Sequence, residues 1–263
     1  MNDKNAFLKD FYENLCNEDE RLTTNCNGKL EYFTTMSYID KYLKPNCKIL
    51  EVGAGTGRYS IALAKMGYNV NAIELIEANL KVLKQNAQGL NNITAEQGDA
   101  IDLSRFADNT FDIVLVLGPL YHLYTTADQE KAINEAIRVC KKDGIIMYAF
   151  IPDDSIIYNW GIKGHMKDMA ERVFNKDYSL KQLPEEIFAT FRIQKFEAFF
   201  DNTNTTKLHL VSTDGILEPC KNHPDFNMDD EAFEIFKQYH LTICERYELL
   251  GYGSHLLYIC KKN

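Results

Sequence analysis

From residue 48 to residue 151 the sequence alternates between short apolar runs and helical patterns. The apolar runs have the length of buried strands and cover residues 48–52, 70–73, 93–96, 111–117 and 144–151. Alternation of this kind predicts βαβ units and a parallel sheet that helices cover on both faces. The units are too few for an eight-stranded barrel, so we expect an open, doubly wound α/β sheet.

The rest of the chain surrounds this core in three segments. Residues 1–44 contain two helical patterns and predict an N-terminal helical cover for the core at 45–151. Residues 152–205 hold nine aromatic side chains but no clear strand, which indicates an insertion above the sheet, either a lid or an ordinary hydrophobic mini-core. Residues 206–263 add two strands and a helix. We therefore expect a seven-stranded, mostly parallel sheet, with six parallel strands and one antiparallel strand that forms a hairpin at the edge.

Charge and cysteine content narrow the class of partner. The net charge is −9 and is spread evenly, with −4 over residues 1–150 and −5 over residues 151–263. No basic stripe is visible, which disfavours nucleic acid as a partner. The seven cysteines form no CxxC pair and predict reduced, buried thiols in a cytoplasmic protein. The N-terminus lacks a signal-peptide pattern, and no apolar run approaches the ~20 residues that a membrane span needs.

The segment Ile49–Arg58 carries the strongest ligand signal, because its glycines stand between a strand and a helix. Ligands of such sheets bind at the carboxyl ends of the strands, where glycine lets the backbone approach closely. The spacing is Gly53-x-Gly55-x-Gly57. A dinucleotide fingerprint would need its third glycine at Arg58, and the Gly-Lys-Ser/Thr ending of a phosphate-binding P-loop is missing.

Glu51 with these three glycines resembles the first motif of the class I S-adenosylmethionine (SAM) methyltransferases, and the likeness continues downstream. The resemblance implies a doubly wound methyltransferase fold with SAM as the cofactor and S-adenosylhomocysteine (SAH) as the product. It implies that Glu51 meets the ammonium group, Glu74 the ribose hydroxyls and Asp99 the adenine amino group. The implied cofactor-binding residues are Glu51, Gly53, Ala54, Gly55, Gly57, Arg58, Glu74, Leu75, Asp99, Ala100, Leu117 and Gly118.

A closer likeness covers nearly the whole chain. The motifs Gly57–Ser60, Gly118–Leu123, Thr213–Gly215 and Leu249–Leu257 look like those of a bacterial subgroup of small-molecule-type methyltransferases whose substrates are largely unassigned. This resemblance implies a small-molecule acceptor, with residues 152–205 as a lid over its site. Alignment of acceptor, methyl group and sulfur alone can supply ~7–11 kcal/mol.

Tyr121 and His122 are the candidate catalytic residues, because they follow the fourth strand at the substrate-facing loop of this family. A histidine can take a proton from a hydroxyl or amine acceptor near neutral pH. The alternative is a packed histidine that is hydrogen-bonded to the backbone. Arg58 has two interpretations as well: it clamps a carboxylate of SAM or of the acceptor, or it pairs with an acid on a neighbouring helix. For Glu74 the alternative is a solvated residue at a helix start.

Other functions stay open at this point. An RNA or protein methyltransferase and a SAM-binding regulator without turnover would share the same core. The Gly-Pro-Leu-Tyr at 118–121 lacks the Asn/Asp-Pro-Pro-Tyr/Phe of amino-directed base methyltransferases. The six histidines show no metal-ligand spacing, so we expect no metal. The helix with Phe11 and Tyr12 either closes over the cofactor or forms a homodimer contact.

Overall fold

Seven strands and their connecting helices are resolved in the computed structural model, which describes residues 4–15, 18–183, 186–221 and 223–263. The strands are β1 Lys48–Val52, β2 Asn69–Glu74, β3 Ile93–Gln97, β4 Phe111–Val116, β5 Cys140–Phe150, β6 Thr205–Ser212 and β7 Leu256–Lys262. The α-helices are α1 Lys4–Asp10, α2 Cys26–Asp40, α3 Arg58–Lys65, α4 Glu77–Asn86, α5 Thr126–Val139, α6 Asp153–Asn159, α7 Met166–Arg172, α8 Ile193–Ala198, α9 Leu217–Cys220 and α10 Asp230–Ile243. A π-helical turn, Phe11–Leu15, continues α1.

The seven strands form one sheet in the order β3-β2-β1-β4-β5-β7-β6. Strands β1 to β5 pair in parallel, and β7 runs antiparallel to both of its neighbours. The predicted seven-stranded, mostly parallel sheet is therefore confirmed.

The position of the antiparallel strand needs a correction. The sequence predicted it at the edge, whereas β7 lies between β5 and β6 and only its hairpin partner β6 is at the edge. Burial explains the order, because Leu256–Cys260 are all buried and suit an interior strand. The polar start of β6, Thr205–Lys207, is largely exposed and suits an edge.

Each face of the sheet carries its own apolar core, as the period of two along the strands requires. On one face Leu50 and Val114 pack with Ile133 of α5. On the other face Ile49 packs with Leu63 of α3. The helices therefore cover both faces, and the carboxyl ends of the parallel strands are left free to build a site.

The segment 152–205 contributes to two apolar clusters. Phe196 stacks on Phe150 with ring centroids 3.8 Å apart, and so belongs to the main core. Met169, Val173 and Leu180 form a separate small cluster. The part of this segment that the structure describes contains helices and isolated bridges but no strand. Within the described ranges, none of the helices has the length and apolar character to cross a bilayer.

Candidate functional site

The three glycines after β1 all have positive φ angles, but each has different surroundings. Gly53 has a φ of 74°, and a Cβ there would lie 2.6 Å from the ring of Pro119. Gly57 is the N-cap of α3, and a Cβ there would lie 2.8 Å from Leu83. Only at Gly55 would a Cβ point to the cleft, where it would meet the Glu18 side chain at 3.2 Å. Packing therefore requires glycine at Gly53 and Gly57, whereas Gly55 exposes its backbone to the cleft.

A cleft of about 990 Å³, partly open to solvent, lies over this loop at the carboxyl ends of the strands. Apart from Gly57, all the predicted site residues line it: Glu51, Gly53, Ala54, Gly55, Arg58, Glu74, Leu75, Asp99, Ala100, Leu117, Gly118, Tyr121 and His122. Gly57 differs because its Cα faces Leu83 and Ile61 rather than the cleft.

Glu51 is a buried carboxylate at the end of β1, with 2% of its surface exposed. It accepts a hydrogen bond from the Ser60 hydroxyl and has no ion-pair partner among the described residues. Burial raises the pKa of Glu51 to about 8, and the nearby carboxylate of Glu74 adds to the rise. A cationic group entering the cleft would therefore stabilise the charged form.

Glu74 is buried at the end of β2, so the interpretation of a solvated helix-start residue is wrong. One carboxylate oxygen accepts from the Gly55 amide and the other from the Ile76 amide, both at 2.8 Å. Burial raises the pKa of Glu74. These two hydrogen bonds and a third with Asn79 lower it, but burial has the larger effect. A carboxylate has about four acceptor positions, so with these three hydrogen bonds one position remains for a ligand hydroxyl.

Asp99 and Leu75 complete the side of the cleft away from α3. Asp99 is half-buried, and one of its oxygens accepts from the Ile101 amide at 3.2 Å. The Leu75 carbonyl accepts from the Gln97 side chain at 3.1 Å, which fixes the backbone after β2. Ala100 is buried beside them. In this part of the cleft the Asp99 carboxylate therefore keeps acceptor capacity beside the apolar side chains of Leu75 and Ala100.

His122 is a half-buried histidine that also lines the cleft. Its Nδ1 donates to the Ile187 carbonyl at 3.1 Å, so Nε2 is the acceptor for the Tyr12 hydroxyl at 2.9 Å. Burial lowers the pKa of His122 to about 4. The Tyr121 hydroxyl donates to the Leu117 carbonyl at 3.2 Å. The interpretation of a packed, backbone-bonded histidine thus describes the resting arrangement.

Arg58 does not pair with a described acid on a neighbouring helix, and its role as a clamp for a ligand carboxylate stays a prediction. Its guanidinium carbon lies 4.8 Å from the ring centroid of Tyr32 on α2, a cation–π contact. No acid among the described residues is within salt-bridge distance of it. The side chain is exposed at the rim of the cleft.

The sequence missed several lining residues in the N-terminal segment, which we define as residues 8–15 and 18–22. Leu8, Tyr12 and Leu22 lie over the cleft, and only Tyr12 was considered from the sequence. Glu18 and Arg21 also line it and pair with each other at 3.1 Å. No sequence motif indicated Glu18 and Arg21, because the segment around them is polar and shows no apolar periodicity.

The histidines outside the cleft have structural partners. His240 is buried and donates from Nε2 to the Ser212 carbonyl at 2.9 Å. His209 contacts Glu245 and Tyr42 at 2.9 and 2.8 Å. Within the part of the chain that the structure describes, no three His, Cys, Asp or Glu side chains are grouped as metal ligands would be.

Comparison with known proteins adds the family to this geometry. Residues 50–148 match the family model described as a methyltransferase domain. The part of the chain that carries the glycine loop and the strand-end acids is therefore a methyltransferase domain. The predicted family and fold are confirmed, and SAM is the methyl donor on which this family depends.

Relatives of this methyltransferase fall into two groups. A protein of Encephalitozoon cuniculi named as a methyltransferase is 24% identical over 84% of this chain and 89% of its own length. A demethylmenaquinone methyltransferase of Staphylococcus haemolyticus is 35% identical, but the match covers 41% of this chain and 45% of that protein. The higher identity is therefore confined to less than half of this chain.

Solved structures share the fold of this methyltransferase at low identity. A SAM-dependent methyltransferase of Thermotoga maritima, titled as a candidate histamine N-methyltransferase, has a TM-score of 0.58 at 17% identity and covers 98% of this chain and 99% of that one. A phosphoethanolamine N-methyltransferase of Haemonchus contortus has a TM-score of 0.61 at 13% identity and covers 98% of this chain and 48% of that one.

Proposed function

We propose that this chain transfers a methyl group from SAM to a small-molecule acceptor. The observation that carries the proposal is the cover over the cleft: Leu8, Tyr12 and Leu22 line the same cleft as the glycine loop. A covered cleft admits a small molecule more readily than a folded macromolecule. The even negative charge and the demethylmenaquinone methyltransferase relatives support the same conclusion.

The lining residues fit SAM by charge and by hydrogen-bonding capacity. Glu51 is buried without a cation among the described residues and would hold the ammonium group of SAM. Burial disfavours the charged form of Glu51, and the ammonium group would stabilise that form. The free acceptor position of Glu74 would take one ribose hydroxyl, and the second hydroxyl would take the position that Asn79 occupies in the unliganded protein. Asp99 would accept from the adenine amino group, between Leu75 and Ala100. The amides at the start of α3 and Arg58 would face the carboxylate.

Catalysis by this chain is mainly alignment. When bound, SAM supplies a methyl group on a positively charged sulfur, which keeps the C–S bonding pair while the acceptor's lone pair forms the new bond to carbon. Alignment of the reacting atoms supplies ~7–11 kcal/mol. His122 is neutral at pH 7, but the Tyr12 hydroxyl occupies its Nε2. We assign His122 a proton-accepting role only when Tyr12 moves away, and Tyr121 a role in shaping the wall.

Calorimetry tests the cofactor part of the proposal. SAH, SAM and NAD are titrated separately into the protein, and we expect SAH to bind with a dissociation constant in the micromolar range, about 8 kcal/mol of binding free energy. Tighter binding of NAD than of SAH would contradict the proposal.

A product screen tests the acceptor part. The protein is incubated with SAM and, in parallel, with a small-metabolite extract, bulk RNA or an extract of soluble proteins. We expect SAH release only with the metabolite extract, together with a product that is one methylene heavier by mass spectrometry. Methylation of the RNA or protein fraction alone would show a macromolecular acceptor, and SAH binding with no turnover would favour a regulator.

A further inference from the structure

A second cavity of about 950 Å³ lies beside the cofactor cleft. The two share a wall of four side chains, those of Tyr12, Glu18, Arg21 and Tyr121. The far side is built by α2, α6 and the residues just before β7. A molecule in this cavity would therefore lie one side chain away from the methyl donor.

Every basic side chain that lines this cavity already faces a carboxylate. Arg21 Nη1 lies 2.8 Å from Glu31 and Nε lies 3.1 Å from Glu18. Lys221 Nζ lies 2.6 Å from Glu218. Among the described lining residues no cation is left over for an anionic ligand.

His255 adds a third base and reaches a further carboxylate. Its Nδ1 lies 3.5 Å from Glu31 and 3.4 Å from Asp214, which is fully buried behind it. Burial alone would lower the pKa of His255, but these two carboxylates raise it overall. Glu18, Glu31 and Glu218 line the cavity, and Asp214 lies behind His255 with a pKa that burial raises. Of the described lining residues, the three carboxylates outnumber the two permanent cations, Arg21 and Lys221, so a cationic ligand would be compensated better than an anionic one.

Two amide oxygens at the cavity also lack a donor. The Asn27 side-chain amide donates to Glu218, and its Oδ1 is buried without a partner in the described part of the chain. Asn159 donates to Ser155 and Ser254 at 3.3 and 3.0 Å, and its Oδ1 is likewise buried and unpartnered. Buried acceptors of this kind are normally satisfied, so a ligand here should bring N–H or O–H donors.

Aromatic rings form the side of the cavity nearest the cleft. Phe188 makes edge contacts with Phe11 and Tyr121, with centroids 6.2 and 5.8 Å apart. Such rings pack against an apolar body and attract an ammonium group through their faces. Charge, unpartnered acceptors and aromatic surface therefore favour the same ligand chemistry.

We propose that this cavity binds the methyl acceptor and that the acceptor is a small molecule with a protonated amine, which serves for recognition while another atom of the molecule supplies the lone pair that takes the methyl group. The inference rests on the proposed methyltransferase function, because it assumes that SAM occupies the neighbouring cleft.

Three probes of matched shape test the charge requirement: tyramine, the neutral alcohol tyrosol and the carboxylate 3-(4-hydroxyphenyl)propionate. Each is titrated by calorimetry into protein saturated with SAH. We expect tyramine to bind at least about tenfold more tightly than either analogue, which corresponds to about 1.4 kcal/mol. Equal or tighter binding of the carboxylate, or no binding of tyramine, would overturn the proposal.

Two variants test the location. In Glu31→Gln the excess charge is removed and Arg21 loses a partner, so tyramine should lose its preference and the carboxylate should gain affinity. Asn159→Leu keeps the charges and removes one acceptor, so tyramine affinity should fall about threefold to tenfold. Glu130→Gln, an exposed change on α5, is the control and should leave all three probes unchanged.

SAH affinity, measured for each protein, separates this inference from the proposed function. Both cavity variants should retain SAH binding, since neither residue lines the cofactor cleft. Tyramine selectivity that survives both variants would place the amine elsewhere and overturn the inference. Failure of the unmodified protein to bind SAH would count against the methyltransferase proposal itself.

Discussion

When it is ionised, the Glu51 carboxylate has no cation to compensate its charge among the described residues of the unliganded protein. This carboxylate is buried, it has Ser60 as its hydrogen-bond partner, and its pKa is raised to about 8 by burial. In the unfolded chain the same group has a pKa of about 4.3. Between these two values the folded protein binds more protons than the unfolded chain, so this residue makes stability fall as the pH rises. A binding residue thus opposes folding until its ligand arrives.

Glu51→Gln should therefore stabilise the unliganded protein while weakening SAH binding. We expect a gain in the free energy of unfolding on the order of 1–3 kcal/mol at pH 8, shrinking towards pH 5, because the neutral amide has no charge to desolvate. SAH affinity should fall by about tenfold or more. Urea unfolding at several pH values and calorimetry with SAH measure the two effects.

The control for this change is Glu77→Gln, an exposed acid in the first turn of α4. It should alter stability by less than about 0.5 kcal/mol at every pH and leave SAH binding intact. If Glu51→Gln and the unmodified protein had the same pH profile, the carboxylate of Glu51 would not be desolvated as described.

Glu74 combines a structural and a binding role, and two substitutions separate them. Glu74→Ala leaves the Gly55 and Ile76 amides without their acceptor, so stability should fall by about 1–3 kcal/mol. SAH affinity should fall by about 10–100-fold through loss of the ribose contacts. Glu74→Gln keeps one acceptor oxygen and should lose less of both. Unchanged SAH affinity in Glu74→Ala would remove this residue from the site.

At the scale of elements, the loop after β1 and the turn after β4 fix each other. Gly53 contacts Pro119, and the Gly53 and Ala54 amides both donate to the Ile73 carbonyl at 2.8 and 3.0 Å. The glycine motif therefore has two roles: it lets the ends of β1, β2 and β4 pack together, and it exposes backbone to the cleft.

A pair of glycine substitutions measures this contact. Gly53→Ala combines a positive φ with a clash at Pro119, whereas Gly67→Ala, after α3, has a φ of 95° and an open position for its Cβ. Gly67→Ala should cost about 1–2 kcal/mol from backbone strain alone. Gly53→Ala should cost a further 1–3 kcal/mol or so from overpacking. Chemical denaturation of both variants tests the difference, and equal losses would show that the loop yields to the methyl group.

Element types and the strand-end residues were predictable because both depend on local patterns. Glu51, Glu74 and Asp99 each follow a buried run, and the carboxyl ends of parallel strands meet at one edge of the sheet. The second cavity was not predictable, because Asn27, Asn159 and His255 come together only through the folded chain. The predicted position of β7 in the sheet was also wrong. The alternation of apolar runs does not indicate which strands lie beside a strand near the end of the chain.

At the scale of the whole molecule, β7 joins the parallel part of the sheet to its last strand. Leu257 is fully buried in β7 and pairs with Ala149 and Val211 on its two sides. Leu257→Ala should cost about 2–5 kcal/mol in the free energy of unfolding. Leu208→Ala, in the half-buried part of edge strand β6, should cost about 1 kcal/mol. Thermal or urea unfolding compares them, and similar losses would contradict an interior role for β7.

The position of β7 in the sheet also determines when strands β5 and β6 can pair during synthesis on the ribosome. About a hundred residues separate the end of β5 from the start of β7, a stretch that takes roughly 5–20 s to synthesise at ~5–20 residues per second. During that interval the outer edge of β5 has no strand beside it, and β6 has no neighbour when it emerges. Unpaired edges of this kind associate with other chains. A nascent chain that stalls before residue 256 should therefore aggregate or recruit chaperones, even though every residue of the cofactor cleft has already been made.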